Sequence, residues 1–182
     1  TDSSGGGLLE RMRIDSSGNV SIKNSGVPTL RLENTDTSIG VQTLGSLEYY
    51  QSDPSATGAG VVSRINCVNE SGFQGAGALS FETGDSSSIT ERMRITSGGL
   101  VGIGTNNPDY ELQVGDGTAT ETINIKAVST NPSRIFFSDN NDIGQGRIHY
   151  EHGGDYMNFW TDGAERMRIT SGGVVKINSG YL

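Results

Sequence analysis

The sequence has few of the side chains on which most enzymes and disulfide-stabilised proteins depend. Its 182 residues include one cysteine, Cys67, and two histidines, so an intrachain disulfide is excluded. We interpret Cys67 as a small buried hydrophobic residue rather than a reactive thiol. No apolar run approaches the roughly 18–20 residues that a membrane-spanning helix needs. The chain starts at Thr1 and shows no signal-peptide pattern, and we expect it to be an excerpt of a longer protein.

Apolar residues and positive charges are also scarce. Hydrophobic residues make up 32% of the chain, and its 27 glycines are about double the usual share of roughly 7%. A single globular core would be thin, which favours a repeated β structure that buries apolar faces between neighbouring repeats or chains. The formal net charge of -8 repels phosphate backbones and anionic lipids. We therefore expect no nucleic-acid partner and no membrane insertion.

What the chain does have is one stretch in three copies. The residues Glu-Arg-Met-Arg-Ile start at Glu10, Glu91 and Glu165, and a glycine, a valine and an isoleucine follow at the same offsets. Because successive side chains of a strand point to opposite faces, the methionine and isoleucine share one face and the two arginines share the other. Ser-Gly-Gly at 97–99 is typical of a tight turn, so each copy is predicted to be a β-hairpin. The residues predicted to point inward are Met12, Met93, Met167, Ile14, Ile95 and Ile169.

The arginines between these residues are expected to face outward or to form ion pairs with acidic residues of neighbouring strands. Alternating patterns elsewhere predict further strands, separated by glycine-rich and asparagine-rich turns. A short helix is an alternative at 123–128, where the isoleucines, with Thr122 before them, favour a strand. The predicted strands lie at 28–33, 45–51, 60–68, 76–82, 108–114, 123–128, 134–138, 146–151 and 156–161, with a weaker one at 39–41.

The recurrence also predicts the domain organisation. Residues 1–9 are a linker or the end of a preceding unit, 10–90 are a first repeat unit, 91–164 are a second, and 165–182 start a third. The predicted fold class is all-β, as an elongated and repetitive β-hairpin shaft.

The repeated residues resemble a known family. Glu-Arg-Met-Arg-Ile at 91–95, Gly-Ile-Gly-Thr-Asn-Asn-Pro at 102–108 and Leu-Gln-Val at 112–114 resemble the repeats of bacteriophage tail fibres and related virion proteins. The first copy departs from this pattern, with Val-Ser-Ile-Lys at 20–23. The resemblance implies an intertwined homotrimeric β-fibre. In that family such repeats often precede an endosialidase-type intramolecular chaperone that cleaves itself off, which leaves open whether cleavage occurred after Leu182.

Candidate metal and phosphate sites have weak signals. His149 and His152 are three residues apart, so on a strand they face opposite sides and one chain cannot chelate a metal with both. A ring of symmetry-related histidines around a trimer axis is the alternative. Asp-Asn-Asn-Asp at 139–142 lacks the glycine and the terminal glutamate of a calcium loop, which favours an ordinary turn. Gly-Ile-Gly at 102–104 precedes no helix and is not a phosphate-binding loop.

The sequence signals for catalytic and sugar-binding residues are weak as well. Glu48, Glu82 and Glu151 could form a glycosidase pair at about 5–9 Å, but the sequence does not place them. A buried aromatic core is favoured over sugar stacking for Tyr49, Tyr50, Tyr150, Tyr156 and Trp160. We therefore predict no catalytic, cofactor-binding or metal-binding residues and no enzymatic activity. Any ligand contact is expected on the loops at 52–58 and 138–144.

These observations predict a structural shaft segment of a phage tail fibre that positions host-recognition parts for adsorption. A carbohydrate-binding or depolymerising tailspike segment is the alternative. The expected partners are two further copies of the chain, other tail or baseplate proteins and, as a further candidate, a host surface glycan. The expected location is the tail fibre of a virion, and no cofactor is expected.

Overall fold

The chain folds into β-strands and turns. The computed structural model describes residues 12–23, 26–35, 40–53, 55, 58–71 and 75–178. These residues contain strands and no helix, and the sheets are open, so the predicted all-β fold class is confirmed. Within the same ranges, no helix long and apolar enough to cross a membrane is found. The chain divides into two compact units, Thr1–Glu121 and Thr122–Leu182.

The first unit contains a two-stranded and a six-stranded sheet. Its strands are β1 (Met12–Ile14), β2 (Val20–Ile22), β3 (Gln42–Gln51), β4 (Gly60–Asn69), β5 (Gly77–Asp85), β6 (Ser88–Ile95), β7 (Val101–Ile103) and β8 (Leu112–Val114). Strands β1 and β2 form the smaller sheet, and the larger has the order β3-β4-β5-β6-β7-β8. Neighbouring strands are antiparallel except β7 and β8, which are parallel.

The second unit contains one antiparallel sheet of five strands. These strands are β9 (Ser133–Phe137), β10 (Gly146–Glu151), β11 (Tyr156–Thr161), β12 (Ala164–Ile169) and β13 (Val175–Ile177). They follow one another in the sheet in chain order, each paired with the next. Short turns are sufficient for such a meander, which suits the glycine-rich connections of the sequence.

The three copies of the repeated stretch form three hairpins with one geometry, as predicted. The methionine of each copy pairs with the later isoleucine, as Met93 does with Ile103. In the second copy, the N–H of Thr96 donates to the carbonyl of Leu100 at 2.9 Å across the turn. One turn glycine in each copy has a positive φ, which a residue with a Cβ rarely adopts. These glycines are Gly18, Gly99 and Gly173, with φ of 84°, 84° and 77°.

A β-bulge interrupts the second and third copies at the same place. Met93 and Glu91 pair with consecutive residues of β5, so Arg92 is the extra residue of the bulge. Arg166 is the extra residue between β11 and β12. Because a bulge shifts the alternation of side chains by one residue, Glu91 and Arg94 reach the same face although they are three residues apart. The sequence pattern alone did not predict this bulge.

Six of the further predicted strands are confirmed as β3 to β5 and β9 to β11, with ends that differ by up to three residues. The strands predicted at 28–33 and 123–128 are wrong, as is the alternative helix at 123–128. Of the strand predicted at 108–114, only Leu112–Val114 is one. A strand needs a hydrogen-bonded neighbour, and alternation of side chains does not supply one.

Some predictions cannot be compared with the described residues. The weaker strand at 39–41 lies partly outside them, and the linker at 1–9 lies wholly outside them. The repeat boundaries at 10, 91 and 165 stay a prediction that rests on sequence recurrence.

Burial within one chain is the reverse of the usual pattern. Among the described aliphatic, aromatic and sulfur-containing side chains, only Ala78 is buried. Met12 and Ile14 are exposed within one chain. The prediction that the repeated methionines and isoleucines point inward concerns faces buried against partner chains, so for these two residues it stays a prediction. Met93 and its equivalent in the third copy are half-buried. The fully buried larger side chains are polar: Asn66, Ser80 and Asn158.

Candidate functional site

One face of the six-stranded sheet carries two apolar rows that cross it from strand to strand. Residues that pair across neighbouring strands lie side by side on one face of a sheet. This face is open within one chain, because Leu47 is 53% exposed and Leu112 is 61% exposed. The first row is Leu47, Ile65, Phe81, Met93, Ile103 and Val114, and the second is Cys67, Leu79, Ile95, Val101 and Leu112.

The five-stranded sheet repeats this arrangement. Its first apolar row crosses all five strands, and a second row runs beside it. The ends of both rows on β13 are exposed, with Val175 at 54% and Ile177 at 66%. Contiguous apolar surface on a chain of this composition marks an interaction site. The first row is Ile135, Ile148, Phe159, Met167 and Ile177, and the second is Tyr150, Met157, Ile169 and Val175.

A groove deepens the apolar face of the first unit. Its volume is about 560 Å³, and it lies between the extended residues 31–34 and strands β3 to β5. Leu32 and Leu44 form one side, and Leu47, Ile65 and Leu79 of the apolar rows form the other. The predicted strand at 28–33 therefore contributes a wall to this face instead of an additional strand.

The opposite face of the six-stranded sheet is a closed polar network. Arg64 lies between two carboxylates: its Nε donates to Glu82 at 2.8 Å, and its Nη1 lies 3.8 Å from Glu48. Glu82 also accepts a hydrogen bond from the amide nitrogen of Asn66 at 2.6 Å and one from the hydroxyl of Ser80 at 3.4 Å. Polar side chains buried at this depth are stable because each has a partner.

The polar network on the corresponding face of the five-stranded sheet is incomplete. Arg147 lies between two aromatic rings, with its guanidinium carbon 4.2 Å from the ring centroid of Trp160 and 6.0 Å from that of Phe136. Buried side-chain atoms without a hydrogen-bond partner cluster here. They are the Nε of Arg147, both ring nitrogens of His149, the Oδ1 of Asn158 and the Nε1 of Trp160.

Each of the two larger sheets has a half-buried ion pair that the bulge makes possible. Arg94 donates to both oxygens of Glu91, at 2.8 and 2.7 Å, and to Glu70 at 2.9 Å. Burial alone would raise the pKa of Glu70, but the N–H of Ser97 and the guanidinium of Arg94 lower it overall. The predicted ion pairing of the arginines is confirmed for Arg94, although one partner lies on its own strand.

The third copy has the equivalent pair. Arg168 donates to Glu165 at 2.9 and 2.6 Å and lies 4.0 Å from the ring centroid of Tyr156. The hydrogen bond from Arg168 is the main reason that the pKa of Glu165 is lowered. The arginines at the two bulge positions, Arg92 and Arg166, are exposed.

His149 is held neutral by its surroundings. Burial lowers its pKa, and the positive charges of Arg134 and Arg147 lower it further, against the opposing effect of Glu151. The Nε2 of His149 is 3.5 Å from the nearer oxygen of Glu151, which is too long for a hydrogen bond. Protonation of His149 would therefore bury a charge beside two arginines.

We expect His149→Asn to reduce the sensitivity of the fold to mild acid. A group whose folded-state pKa is depressed contributes stability above its unfolded value, near 6.5, and that contribution is lost as pH falls toward the folded value. Thermal unfolding of both proteins between pH 7.5 and roughly 5 measures this effect. The melting temperature of the wild type should fall more than that of His149→Asn, and His152→Asn is the control. Parallel curves for His149→Asn and the wild type would contradict the assignment.

The metal-ligand candidates of the sequence do not come together in the part of the chain that the structure describes, whereas Glu48 and Glu82 both contact Arg64. Among the described residues, no group of three or more His, Cys, Asp or Glu side chains could hold a metal ion. His152 contacts the hydroxyl of Ser133 at 3.0 Å, away from the unpartnered nitrogens of His149. The loop at 139–142 is closed by its own hydrogen bonds, with Asp139 Oδ1 accepting from the N–H groups of Asn141 and Asp142.

The aromatic side chains divide into two groups. Tyr49 and Tyr50 are more than half exposed, so the prediction that they belong to a buried core is wrong. Tyr150, Tyr156 and Trp160 are half-buried.

Three residues of the predicted contact loop at 52–58 lie outside the described part of the chain. The sequence analysis missed the cluster around Arg147. The signal that identifies this cluster is a comparison of the pairing registers of the two sheets.

Comparisons with known proteins give little further information. No protein-family model matches the chain, and no curated protein matches it. Among solved structures, the carboxy-terminal domain of the bacteriophage T5 L-shaped tail fibre is similar with a TM-score of 0.43 and 10% sequence identity. The similarity covers 87% of this chain and 90% of that chain.

Proposed function

We propose that this chain is a structural shaft segment of a phage tail fibre, which positions host-recognition parts for adsorption and carries out no chemistry. The observation that carries the proposal is the pair of apolar rows on each sheet, which one chain leaves open. The threefold repetition of one hairpin supports it, because repetition extends a structure without creating a specialised site. The resemblance of the repeats to those of virion fibres supplies the biological context.

The proposed assembly is a homotrimer. Its apolar rows meet those of two other copies, and burial of this surface contributes roughly 25 cal/mol per Å². This contribution replaces the core that a single chain lacks, since Ala78 is the one buried side chain among the described hydrophobic residues. Other tail or baseplate proteins are the further proposed partners, and the proposed location is the tail of the virion.

Deletion of residues 91–164 tests the shaft proposal. The deletion joins Thr90 to Glu165, so the hairpin of the third copy replaces that of the second. Because both hairpins have the same register and the same bulge, the six-stranded sheet keeps its central strands. We expect light scattering to give three times the chain mass for both proteins, 19.2 kDa per chain for the wild type. Phage carrying the shortened fibre should keep their host range.

Two results would contradict the proposal. A folded wild-type chain of 19.2 kDa in solution at micromolar concentration would exclude the trimer. Loss of host recognition by phage whose shortened fibres still assemble would place the binding function in residues 91–164. That result would favour the alternative of a carbohydrate-binding tailspike segment. The observation that favours this alternative is the cluster of buried polar atoms in the second sheet that lack hydrogen-bond partners.

A further inference from the structure

The two sheets of the chain can be compared residue by residue, because their strands have the same pairing register. Asn66, Ser80 and Arg94 form a row across β4, β5 and β6. The row across β10, β11 and β12 that corresponds to it is His149, Asn158 and Arg168. In both sheets this row is followed by the bulge.

The neighbouring row shows what differs between the sheets. In the first sheet, Arg64 pairs across the strands with Glu48 on one side and Glu82 on the other. In the second sheet, Arg147 takes the position of Arg64, and Phe136 and Trp160 take the positions of the two glutamates. Both carboxylates beside the arginine are thus replaced by aromatic rings. No carboxylate lies within ion-pair distance of Arg147 in the described part of the chain.

This replacement explains the unpartnered donors of the second sheet. Glu82 accepts hydrogen bonds from Arg64 and Asn66 in the first sheet. Without it, the Nε of Arg147 and the single N–H of the neutral His149 ring lack an acceptor, and Trp160 adds an indole N–H that also lacks one. A buried donor without a partner destabilises the free protein, and an incoming acceptor removes that cost.

We propose that the polar face of the second sheet, at Arg147, His149 and Trp160, binds a carboxylate supplied by a ligand. The ligand carboxylate supplies the hydrogen-bond acceptor that Glu82 supplies in the first sheet. Guanidinium groups bind carboxylates through charge-assisted and often paired hydrogen bonds, and the indole N–H and an imidazole N–H are further donors. The aromatic rings beside Arg147 offer apolar surface to the rest of the ligand, so an acidic sugar is the class of ligand that fits.

This face carries positive charge beside His149. Arg134 and Arg147 both act on the ring and help to lower its pKa, and the carboxylate of Glu151, 3.5 Å from the Nε2, opposes them. Entry of the ligand requires the Arg147 side chain to move off the Trp160 ring, since its Nε is covered in the free chain. Because successive side chains of a strand point to opposite faces, this site lies on the reverse of the apolar rows. Association of chains through those rows leaves the site accessible, so the inference does not depend on the shaft proposal.

Trp160 is the only tryptophan of the chain, so its fluorescence reports on this site alone. The test titrates the full chain with sodium glucuronate, and with glucose and sodium chloride at matched concentration and ionic strength. We expect a saturable change with glucuronate in the millimolar range and none with glucose or chloride. A change with glucuronate that does not saturate, or an equal change with chloride, would overturn the proposal. Absence of any change would overturn the proposal as well. It would favour the explanation that another copy of the chain covers this face.

Variants of Phe136 give a matched pair that keeps the reporter. Phe136→Glu supplies an internal carboxylate at the position that Glu48 has in the first sheet, and should weaken glucuronate binding at least about tenfold. Phe136→Gln has nearly the same shape as glutamate without the charge and should bind at least about tenfold more tightly than Phe136→Glu. Equal binding by the two variants would overturn the proposal.

Variants of the two equivalent arginines provide a second test that does not depend on Phe136. Arg147→Gln should weaken binding at least about tenfold, because it removes the charge and the Nε donor. Arg64→Gln makes the same change in the closed network of the first sheet and should leave the fluorescence titration unchanged. Retention of binding by Arg147→Gln would exclude this site. Circular dichroism confirms that each variant is folded before it is titrated.

Discussion

Replacement of Met93 by aspartate is expected to abolish assembly and to destabilise the fold by roughly 2–5 kcal/mol. Met93 lies in the middle of the first apolar row, where it pairs with Phe81 on one side and Ile103 on the other. It is half-buried within one chain, and association of chains would complete its burial. A carboxylate at this position would have to be dehydrated without a cation on the same face.

Arg92→Ala is the matched control for this substitution. Arg92 is the adjacent residue, lies in the bulge and is exposed, so its loss should cost about 0–1 kcal/mol and leave assembly intact. Thermal unfolding and light scattering of the two variants measure both effects. Equal shifts in melting temperature would show that the apolar face has been assigned to the wrong side of the sheet.

The sequence predicts the strands well where hydrogen-bonded partners follow within a short turn. The three hairpins and the strands at 146–151 and 156–161 are examples, because their alternation and their turn glycines indicate the same structure. The strands at 28–33 and 123–128 were wrong although they alternate equally well. Whether such a stretch pairs depends on a neighbour that is distant in sequence, which local periodicity does not identify.

The orientation of the sheets could be predicted only in part. Alternation correctly places Met93 and Ile95 on one face and Arg94 on the other. Alternation does not show which of the two faces is the more buried one within a single chain. In the structure it is the polar face, because Asn66 and Ser80 are buried and Leu47 is exposed. Hydrophobicity predicts the face that assembly would bury, and the proposed association of chains would complete that burial.

The candidate sites in the sequence were sought as local motifs, and the structure shows why that search missed the cluster around Arg147. Its residues belong to three strands and become neighbours only through the register of the sheet. The sequence predicts Trp160 to be a core residue, with sugar stacking as the alternative. It does not reveal that Trp160 corresponds in position to Glu82. The shared bulge aligns the two sheets, and it is visible in the sequence only as the identical spacing of Glu91 to Arg94 and Glu165 to Arg168.

Replacement of Arg94 by alanine is expected to destabilise the first sheet by about 3 kcal/mol at neutral pH. The substitution removes three hydrogen bonds at once and leaves Glu91 and Glu70 facing each other without a cation. Each of these side chains is 22% exposed or less, so water replaces little of the lost interaction. Arg168→Ala should cost less, about 1 kcal/mol, because Arg168 is 34% exposed and has one carboxylate partner.

The pH dependence of Arg94→Ala distinguishes a lost ion pair from lost packing. In the wild type, the pKa of Glu70 is lowered, so its contribution is present above the ordinary value near 4.5 and is lost as pH falls through the folded value. In Arg94→Ala the unpaired carboxylates gain protons more readily, so the difference in free energy of unfolding from the wild type should shrink below about pH 4.5. Urea unfolding at pH 7 and pH 4 measures this difference. A difference that is the same at both pH values would show that Arg94 stabilises the sheet by packing of its side-chain stem and that the charges contribute little.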